Sequence, residues 1–301
     1  MAEKKIIAVV GATGAQGGGL VRAILNDKNG AFTVRAITRN VQSDKAKGLA
    51  GLGAEVVAAD LDSPESLKKA FAGAYGVFCL TNFWEHFSPE KELAQAKRQA
   101  QAAKEAGVQH VIWSTLEDTR KWVPLSDNRM PTLMEKYKVP HFDAKGESDA
   151  EFTKLGVPAT FLLTSFYWDN LIHFGMGPKK GPDGKLAFTL PMDDKKLPGI
   201  AAEDIGKTVG IAGEHLTGQQ MAASLAKALG QTVRYNAVTP EMYRGFGFPG
   251  AEDIGNMFQF NRDFESVFCG ARKLDVARSL NPALQTFDQW LSQNKSRIPL
   301  G

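Results

Sequence analysis

A glycine-rich turn between Gly11 and Gly17 has the residue types and spacing that could bind a phosphate. Its three glycines follow a G-x-x-G-x-x-G pattern rather than the more usual G-x-G-x-x-G, and an apolar run precedes the turn while a helical pattern follows it. Glycine lets backbone N–H groups approach a pyrophosphate, and the N-terminus of the next helix adds partial positive charge. This context favours a dinucleotide-binding turn over an ordinary strand-to-helix turn. The predicted contacts of the turn are Gly11, Thr13, Gly14, Ala15, Gln16 and Gly17.

The residue that ends the second predicted strand favours one dinucleotide over the other. An acidic residue at this place would hydrogen-bond the ribose 2′-hydroxyl of NAD and repel a 2′-phosphate. Here Arg39 stands twenty-two positions beyond Gly17. Since a guanidinium can bind a phosphate in bidentate fashion and stack on adenine, we predict NADP(H) rather than NAD(H), with Ser43 and Lys45 adding to the phosphate pocket. The alternative is an exposed arginine on a loop.

The segments after the third and fourth predicted strands should border the same ligand, because ligands bind at the carboxyl ends of such strands. After strand three, Asp60 or Asp62 could accept a hydrogen bond from the adenine amino group, although a loop acid or helix cap explains Asp62 equally well. After strand four, Asn82 could contact ribose. The remaining predicted contacts of the two segments are Leu61, Thr81, Phe83 and Trp84, and core packing is an equally good explanation for Trp84.

The tyrosine–lysine pair that short-chain reductases use for proton transfer is missing from this chain. That chemistry requires a lysine four residues after a tyrosine, where it lowers the pKa of the phenol. None of the five tyrosines has one. Lys145 could still bind the nicotinamide ribose, and His141 could donate a proton as imidazolium, but we favour a simple helix-terminal role for His141. The catalytic residues therefore remain unassigned.

Composition argues against several other classes of function. The five histidines are scattered without metal-ligand spacing, so we predict no metal site. The small net charge of +3 argues against direct binding to nucleic acid. The two cysteines do not form a secreted disulfide framework, and no apolar run approaches the roughly 20 residues of a membrane span. We see no signal peptide and expect a cytoplasmic protein that does not contact membranes.

Alternating strand and helix patterns in the first half of the chain predict a Rossmann-type α/β fold with a doubly wound parallel sheet. We place a dinucleotide-binding domain at 1–155 and a smaller C-terminal α+β domain at 156–301, which is expected to bind a substrate or a partner. A sixth strand near 159–164 should return to the first sheet, so that the two domains are interleaved. The loop at 175–185 separates it from a short strand at 186–190 and from helices at 217–229 and after Thr239.

Five motifs in order resemble the NmrA-like family of atypical short-chain dehydrogenases/reductases, in the branch of NADP(H)-sensing redox regulators. They lie at 11–17, 38–40, 81–85, 141–147 and 245–251, and the match extends from Lys4 to about Pro299. The resemblance implies a cleft between a Rossmann domain and a small C-terminal domain, NADP(H) binding, and weak or no dehydrogenase turnover. It also implies that the cofactor alters association with a protein partner or a second copy of the chain. By position, it adds Ser165, Phe166 and Tyr167 to the cofactor contacts, beside Lys145.

One segment departs from the family pattern. Family members usually carry a further helix after the position of Gly206, whereas here residues 207–212 lead almost directly to the next strand. A lost helix would leave apolar surface uncovered, with consequences for packing and oligomeric state.

Two functions fit these features. The first is a redox sensor that binds NADPH and NADP⁺ unequally. The second is an NADPH-dependent oxidoreductase of quinones or similar carbonyl compounds, since some quinones accept hydride without a strong protein acid. The aromatic residues that would suit a flat substrate are Phe83, Trp84, Phe166, Tyr167 and Trp168.

Overall fold

The computed structural model describes residues 3–207 and 211–300, which form two compact units. The first unit contains a six-stranded parallel sheet in the order β3-β2-β1-β4-β5-β6. This order is that of a doubly wound Rossmann sheet, so the predicted fold class is confirmed. The strands are β1 (Lys5–Val9), β2 (Phe32–Thr38), β3 (Glu55–Ala58), β4 (Gly76–Cys79), β5 (His110–Thr115) and β6 (Ala159–Leu163).

Five helices connect these strands, and their starts follow from capping residues in the sequence. Ser43, Ser63 and Ser88 each accept a backbone N–H from the first turn of the helix that follows. A proline at the first helical position supports two of these starts. The helices are α1 (Ala15–Asn26), α2 (Asp44–Gly51), α3 (Pro64–Phe71), α4 (Pro89–Glu105) and α5 (Pro140–Lys154).

The core of the first unit lies between the sheet and these helices. The central strands are continuously apolar because both of their faces are covered, and Val9, Val77 and Trp113 are at most 2% exposed. The Trp113 ring stacks on Phe152 of α5 with 5.2 Å between centroids. This packing fixes the carboxyl ends of the strands, where ligands of such sheets bind.

The second unit is built on two small three-stranded sheets and seven helices among its described residues. The sheets have the orders β11-β10-β7 and β12-β9-β8. Their strands are β7 (Phe166–Tyr167), β8 (Lys179–Lys180), β9 (Leu186–Leu190), β10 (Lys196–Ile200), β11 (Glu214–Thr217) and β12 (Val233–Ala237). The helices are α6 (Asn170–His173), α7 (Gly218–Leu229), α8 (Pro240–Arg244), α9 (Ala251–Asp263), α10 (Glu265–Gly270), α11 (Leu274–Leu280) and α12 (Phe287–Asn294).

The two units alternate along the chain. The first comprises residues 3–118, 141–163 and 203–207, and the second comprises 119–140, 164–202 and 211–300. Within the first, β6 pairs in parallel with β5. The domain boundary near residue 155 stays a prediction.

Two segments of the second half, at 175–185 and after Gly206, carried expectations from the sequence. The segment 175–185 is not entirely loop, because Lys179–Lys180 pair with β9 in antiparallel fashion. The shortened connection after Gly206 includes residues 208–210, which lie outside the described residues.

Candidate functional site

The glycine-rich turn connects β1 to α1 and brings the helix backbone close to the strand. Gly11 has a φ of +64°, a conformation that L side chains rarely adopt. A Cβ on Gly17 would lie 2.5 Å from the Gly11 carbonyl oxygen and 2.8 Å from that of Val10. Gly14 caps α1 and donates its N–H to the Gly11 oxygen at 2.9 Å. The first-turn N–H groups of α1 have no intrahelical acceptor, as a phosphate site requires.

A cavity of about 580 Å³ lies at the carboxyl ends of β1, β2, β3 and β4. Its volume is in the range typical of cofactor pockets. Ten residues predicted from the sequence line it together: Gly11, Thr13, Gly14, Arg39, Ser43, Lys45, Asp60, Leu61, Asp62 and Asn82. The structure therefore brings the glycine turn and the segments after the next three strands of the sheet to one place.

Arg39 lines this cavity and forms an ion pair. Its Nη2 donates to Oε1 of Glu85 at 2.9 Å, and both side chains line the cavity. The side chains are 65% and 45% exposed, so water screens the pair. The ion pair with Glu85 thus orients Arg39 in the cavity lining, and another anion could replace Glu85 at a small cost in free energy.

Asp62 ties the segment after β3 to α4. Its carboxylate contacts Lys91 Nζ and Arg98 Nη1, each at 3.1 Å, and Gln95 Nε2 at 3.2 Å. Burial alone would raise the pKa of Asp62, but the hydrogen bonds from Gln95 and Lys91 and the charges of Lys91 and Arg98 hold it below its ordinary value. Asp62 is therefore an ionised structural residue as well as part of the lining.

A buried charged cluster lies where β4 ends. Lys145 Nζ contacts Glu92 Oε1 at 2.8 Å and donates to the carbonyl oxygen of Thr81 at 3.0 Å and to its hydroxyl at 2.8 Å. The Thr81 hydroxyl donates to Glu92 Oε1 at 2.6 Å. Glu92 Oε2 lies 3.4 Å from Nε2 of His86, which lines the cavity.

Glu92 carries the negative charge of this cluster and is completely buried. Burial would raise the pKa of its carboxyl, but the Lys145 ammonium, with the polar contacts of His86 and Thr81, lowers that pKa to about 2. The cluster therefore holds an ionised Glu92 and fixes Lys145 beside Thr81. Sequence reasoning missed Glu92.

An aromatic cluster follows β4. The ring of Trp84 lies 4.8 Å from that of His141, and the ring of Phe83 lies 6.0 Å from it. Phe83 and His141 are 2% and 6% exposed, whereas Trp84 is only half-buried. His141 is therefore a packed residue near the start of α5.

The remaining predicted contacts occupy other places. Ala15, Gln16 and Gly17 form the first turn of α1, where the Gln16 side chain accepts a hydrogen bond from Ser114 at 2.9 Å. Ser165, Phe166 and Tyr167 belong to the second unit. The first two are 8% and 7% exposed, and burial raises the pKa of Tyr167 to about 12. Their role in cofactor binding stays a prediction.

The expectation that Trp168 faces a flat substrate is wrong. Trp168 is 1% exposed, and its ring packs against Phe287 at 5.3 Å and Trp290 at 6.4 Å within the second unit. It is a core residue there, and its indole is not accessible to a ligand.

The sequence did not predict several residues of the cavity lining as ligand contacts: Val10, Ile37, Thr38, Asn40, Ala59, Glu85, His86, Lys91 and Gln95. Two of them, Lys91 and Gln95, are four residues apart on α4 and therefore share one helix face. The Ser88–Pro89 pair marks the start of this helix in the sequence, so this spacing could have been recognised there. The ion pair of Glu85 with Arg39 links the segments after β4 and β2, and no local pattern predicts it.

Two absences hold for the described residues. No group of three or more histidine, cysteine, aspartate or glutamate side chains within 3–207 and 211–300 could hold a metal ion. Across the same ranges, the helices are too short or too polar to cross a membrane.

The chain is similar to known proteins over almost its whole length. The NmrA-like family oxidoreductase FrzB from Cladobotryum sp. is 30% identical over 286 residues, which cover 85% of this chain and 84% of FrzB. Among solved structures, the negative transcriptional regulator NmrA in complex with NADP is 24% identical with a TM-score of 0.77, over 97% of this chain and 95% of NmrA. NmrA has also been solved with NAD.

A reductase shares the fold as well. The NADPH-dependent quinone oxidoreductase QOR2 from Escherichia coli is 21% identical with a TM-score of 0.69, over 95% of this chain and 98% of that protein. At these identities the solved structures establish the fold. The sequence model of the NmrA-like family matches residues 3–291. The chain, with its Rossmann sheet and glycine-rich turn, therefore belongs to the NmrA-like family.

Proposed function

We propose that this chain binds NADP(H) in the cavity at the carboxyl ends of β1 to β4 and acts as a redox-sensing regulator with weak or no dehydrogenase activity. The observation that carries the proposal is the convergence of the glycine turn and Arg39 on one cavity of cofactor size. The structure of NmrA with NADP supports it by analogy.

Each part of the cavity has a proposed role. The first-turn N–H groups of α1 bind the pyrophosphate, while Arg39 and Lys45 bind the 2′-phosphate. The segment from Asp60 to Asp62 borders the adenine, and Asn82 contacts ribose. The nicotinamide half is assigned to Thr81, Phe83, Trp84 and Lys145 of the first unit, which lie beyond the lining of the cavity itself. A role of Ser165, Phe166 and Tyr167 in cofactor binding stays a prediction from the family resemblance.

The sensing role is supported by the surroundings of Lys145 and His141, because neither residue is placed as a proton donor in the part of the first unit that the structure describes. A general acid needs an accessible proton and a pKa near the working pH. The Lys145 ammonium is committed to Glu92 and Thr81, and the imidazole of His141 is 6% exposed within an aromatic cluster. Binding without rapid turnover allows the cofactor to report the NADPH/NADP⁺ ratio. Such a sensor must bind the two redox forms unequally in its two conformations.

The regulated event in this proposal is association with a protein partner or with a second copy of the chain, in the cytoplasm. Sedimentation velocity of the full chain with NADPH, NADP⁺ or no nucleotide tests self-association, and affinity capture with each redox form tests the partner. NADPH oxidation should stay near background across quinones and aldehydes. Rapid turnover, together with identical assembly in both redox forms, would exclude the sensing role.

An NADPH-dependent oxidoreductase of quinones or similar carbonyls is the second candidate. It is supported by the name of FrzB as an oxidoreductase, by the shared fold of QOR2, and by the half-buried ring of Trp84. This function predicts NADPH consumption equal to the quinone reduced, at many turnovers per chain. Fewer than one turnover per chain with every acceptor of the panel would exclude it.

A further inference from the structure

We propose that Glu85 is a specificity-determining residue of this cavity, because its carboxylate competes with the 2′-phosphate of NADP(H) for Arg39. The inference rests on the proposed function, since it concerns how the same cavity distinguishes NADP(H) from NAD(H). Glu85 ends the 3-10 turn Phe83–Glu85 after β4, and Arg39 follows β2.

The geometry makes Glu85 a substitute for a ligand phosphate. Its Oε1 accepts from Arg39 Nη2 at 2.9 Å, and both side chains line the cavity. Carboxylates and phosphates bind the same N–H groups of a guanidinium. Because the pair is 65% and 45% exposed, it adds little to the stability of the fold and can rearrange.

Most of the cationic side chains around the cavity are already paired with carboxylates, so few are available to bind the 2′-phosphate of NADP(H). Three lysine or arginine side chains and three carboxylate side chains line the cavity, beside His86: Arg39, Lys45, Lys91, Asp60, Asp62 and Glu85. Arg39 is paired with Glu85, and Lys91 with Asp62 at 3.1 Å. Of the three cations, Lys45 alone has no ion pair among the described residues. The cavity is therefore close to electrically neutral rather than strongly attractive to a dianion.

The consequence differs between the two dinucleotides. The 2′-phosphate of NADP(H) must displace Glu85 from Arg39 and then stay close to a second anion. The 2′-hydroxyl of NAD(H) is neutral, leaves the ion pair in place and can donate a hydrogen bond to a carboxylate. Glu85 thus lowers the affinity for NADP(H) but not that for NAD(H). It therefore reduces the preference for NADP(H) over NAD(H) that Arg39 creates.

Calorimetric titration of the full chain with NADPH and NADH tests this competition in the Glu85→Gln variant, which keeps the size of the side chain. The affinity for NADPH should rise roughly 3- to 10-fold, and that for NADH should change less than about twofold. Glu55→Gln is the matched control. Glu55 accepts from Arg35 at the same 2.9 Å distance, and neither residue lines the cavity, so the affinities for both dinucleotides should be unchanged.

A double-mutant cycle separates competition for Arg39 from a general field effect. In the Arg39→Gln background, Glu85→Gln should no longer increase the affinity for NADPH. An unchanged NADPH/NADH affinity ratio in Glu85→Gln, or an equal gain with and without Arg39, would overturn the inference while leaving NADP(H) binding intact. If the wild-type chain binds neither dinucleotide, the proposed function itself fails and the inference fails with it.

Discussion

Two ion pairs at the carboxyl edge of the same sheet differ in their exposure to water. Arg39 and Glu85 meet at 2.9 Å with side chains that are 65% and 45% exposed, whereas Lys145 and Glu92 meet at 2.8 Å with side chains that are 12% and 0% exposed. Solvent screens the first pair and makes it replaceable. The second pair holds its charges away from water, where the loss of one partner leaves the other uncompensated. Two ion pairs of nearly the same length therefore differ in character: a ligand could replace the exposed one, whereas the buried one stabilises the fold.

Removing the buried charge should have the largest effect. We expect Glu92→Gln to lower the free energy of unfolding by about 3–5 kcal/mol, because the Lys145 ammonium loses its counter-ion beside Thr81. Urea denaturation at pH 7 measures the change.

Glu105→Gln is the control on the same helix, since Glu105 forms an exposed ion pair with Lys68 at 3.2 Å. It should leave the denaturation midpoint unchanged. Equal midpoints for wild type and Glu92→Gln would mean that the Lys145–Glu92 pair does not stabilise the fold.

Acid should remove the same contribution from the wild type. The pKa of Glu92 is about 2 in the folded chain against an ordinary value of 4.5, so its contribution is present above pH 4.5 and is lost as the pH falls toward 2. The expected loss is about 3 kcal/mol at full protonation. Denaturation at pH 5, 4 and 3 should show wild type losing stability faster than Glu92→Gln. Parallel pH profiles of the two proteins would assign the acid sensitivity to other carboxyls.

Breaking the exposed pair should alter binding more than folding. We expect Arg39→Gln to weaken NADPH binding roughly 10- to 100-fold, because a charge-assisted bidentate contact with the 2′-phosphate is lost. The affinity for NADH should fall by less than about threefold, since NADH carries no 2′-phosphate. Isothermal titration measures both affinities, and equal losses for the two dinucleotides would remove Arg39 from the phosphate site.

The smallest effect is expected for the stability of that same variant. Arg39→Gln should lower the free energy of unfolding by less than about 1 kcal/mol, because the pair with Glu85 is screened by water. Urea denaturation without nucleotide measures this change, beside the larger change in Glu92→Gln. A loss as large as that of Glu92→Gln would abolish the distinction between the two pairs.

The part of the cavity formed by residues that follow the strands was largely predictable from the sequence. The carboxyl ends of strands in an alternating α/β pattern meet at one edge of the sheet, so the sequence alone predicts that Arg39, Asp60 and Asn82 lie close together, as the lining of the cavity shows. The six strands of the first sheet were predicted because apolar runs and glycine or serine–proline boundaries mark them locally. The second unit was harder, because its two small sheets pair short strands such as Phe166–Tyr167 with distant segments.

The buried cluster was not predictable in the same way. Glu92 lies on a helix whose charged composition suggests a solvated surface, yet the face it shares with Gln99 is buried. Only the three-dimensional position of Lys145 explains why a carboxylate is tolerated there. Contacts between side chains far apart in the sequence leave no local pattern, and the Arg39–Glu85 pair was missed for the same reason.

A calorimetric titration of the cofactor-free wild-type chain with NADPH, NADP⁺, NADH and NAD⁺ tests the assignment of the cavity and the sensing role together. We expect NADPH and NADP⁺ to bind with higher affinity than NADH and NAD⁺, and we expect the affinities for NADPH and NADP⁺ to differ from each other. Absence of binding for all four would contradict the assignment of the cavity, and equal affinities throughout would contradict both the role of Arg39 and the sensing of redox state.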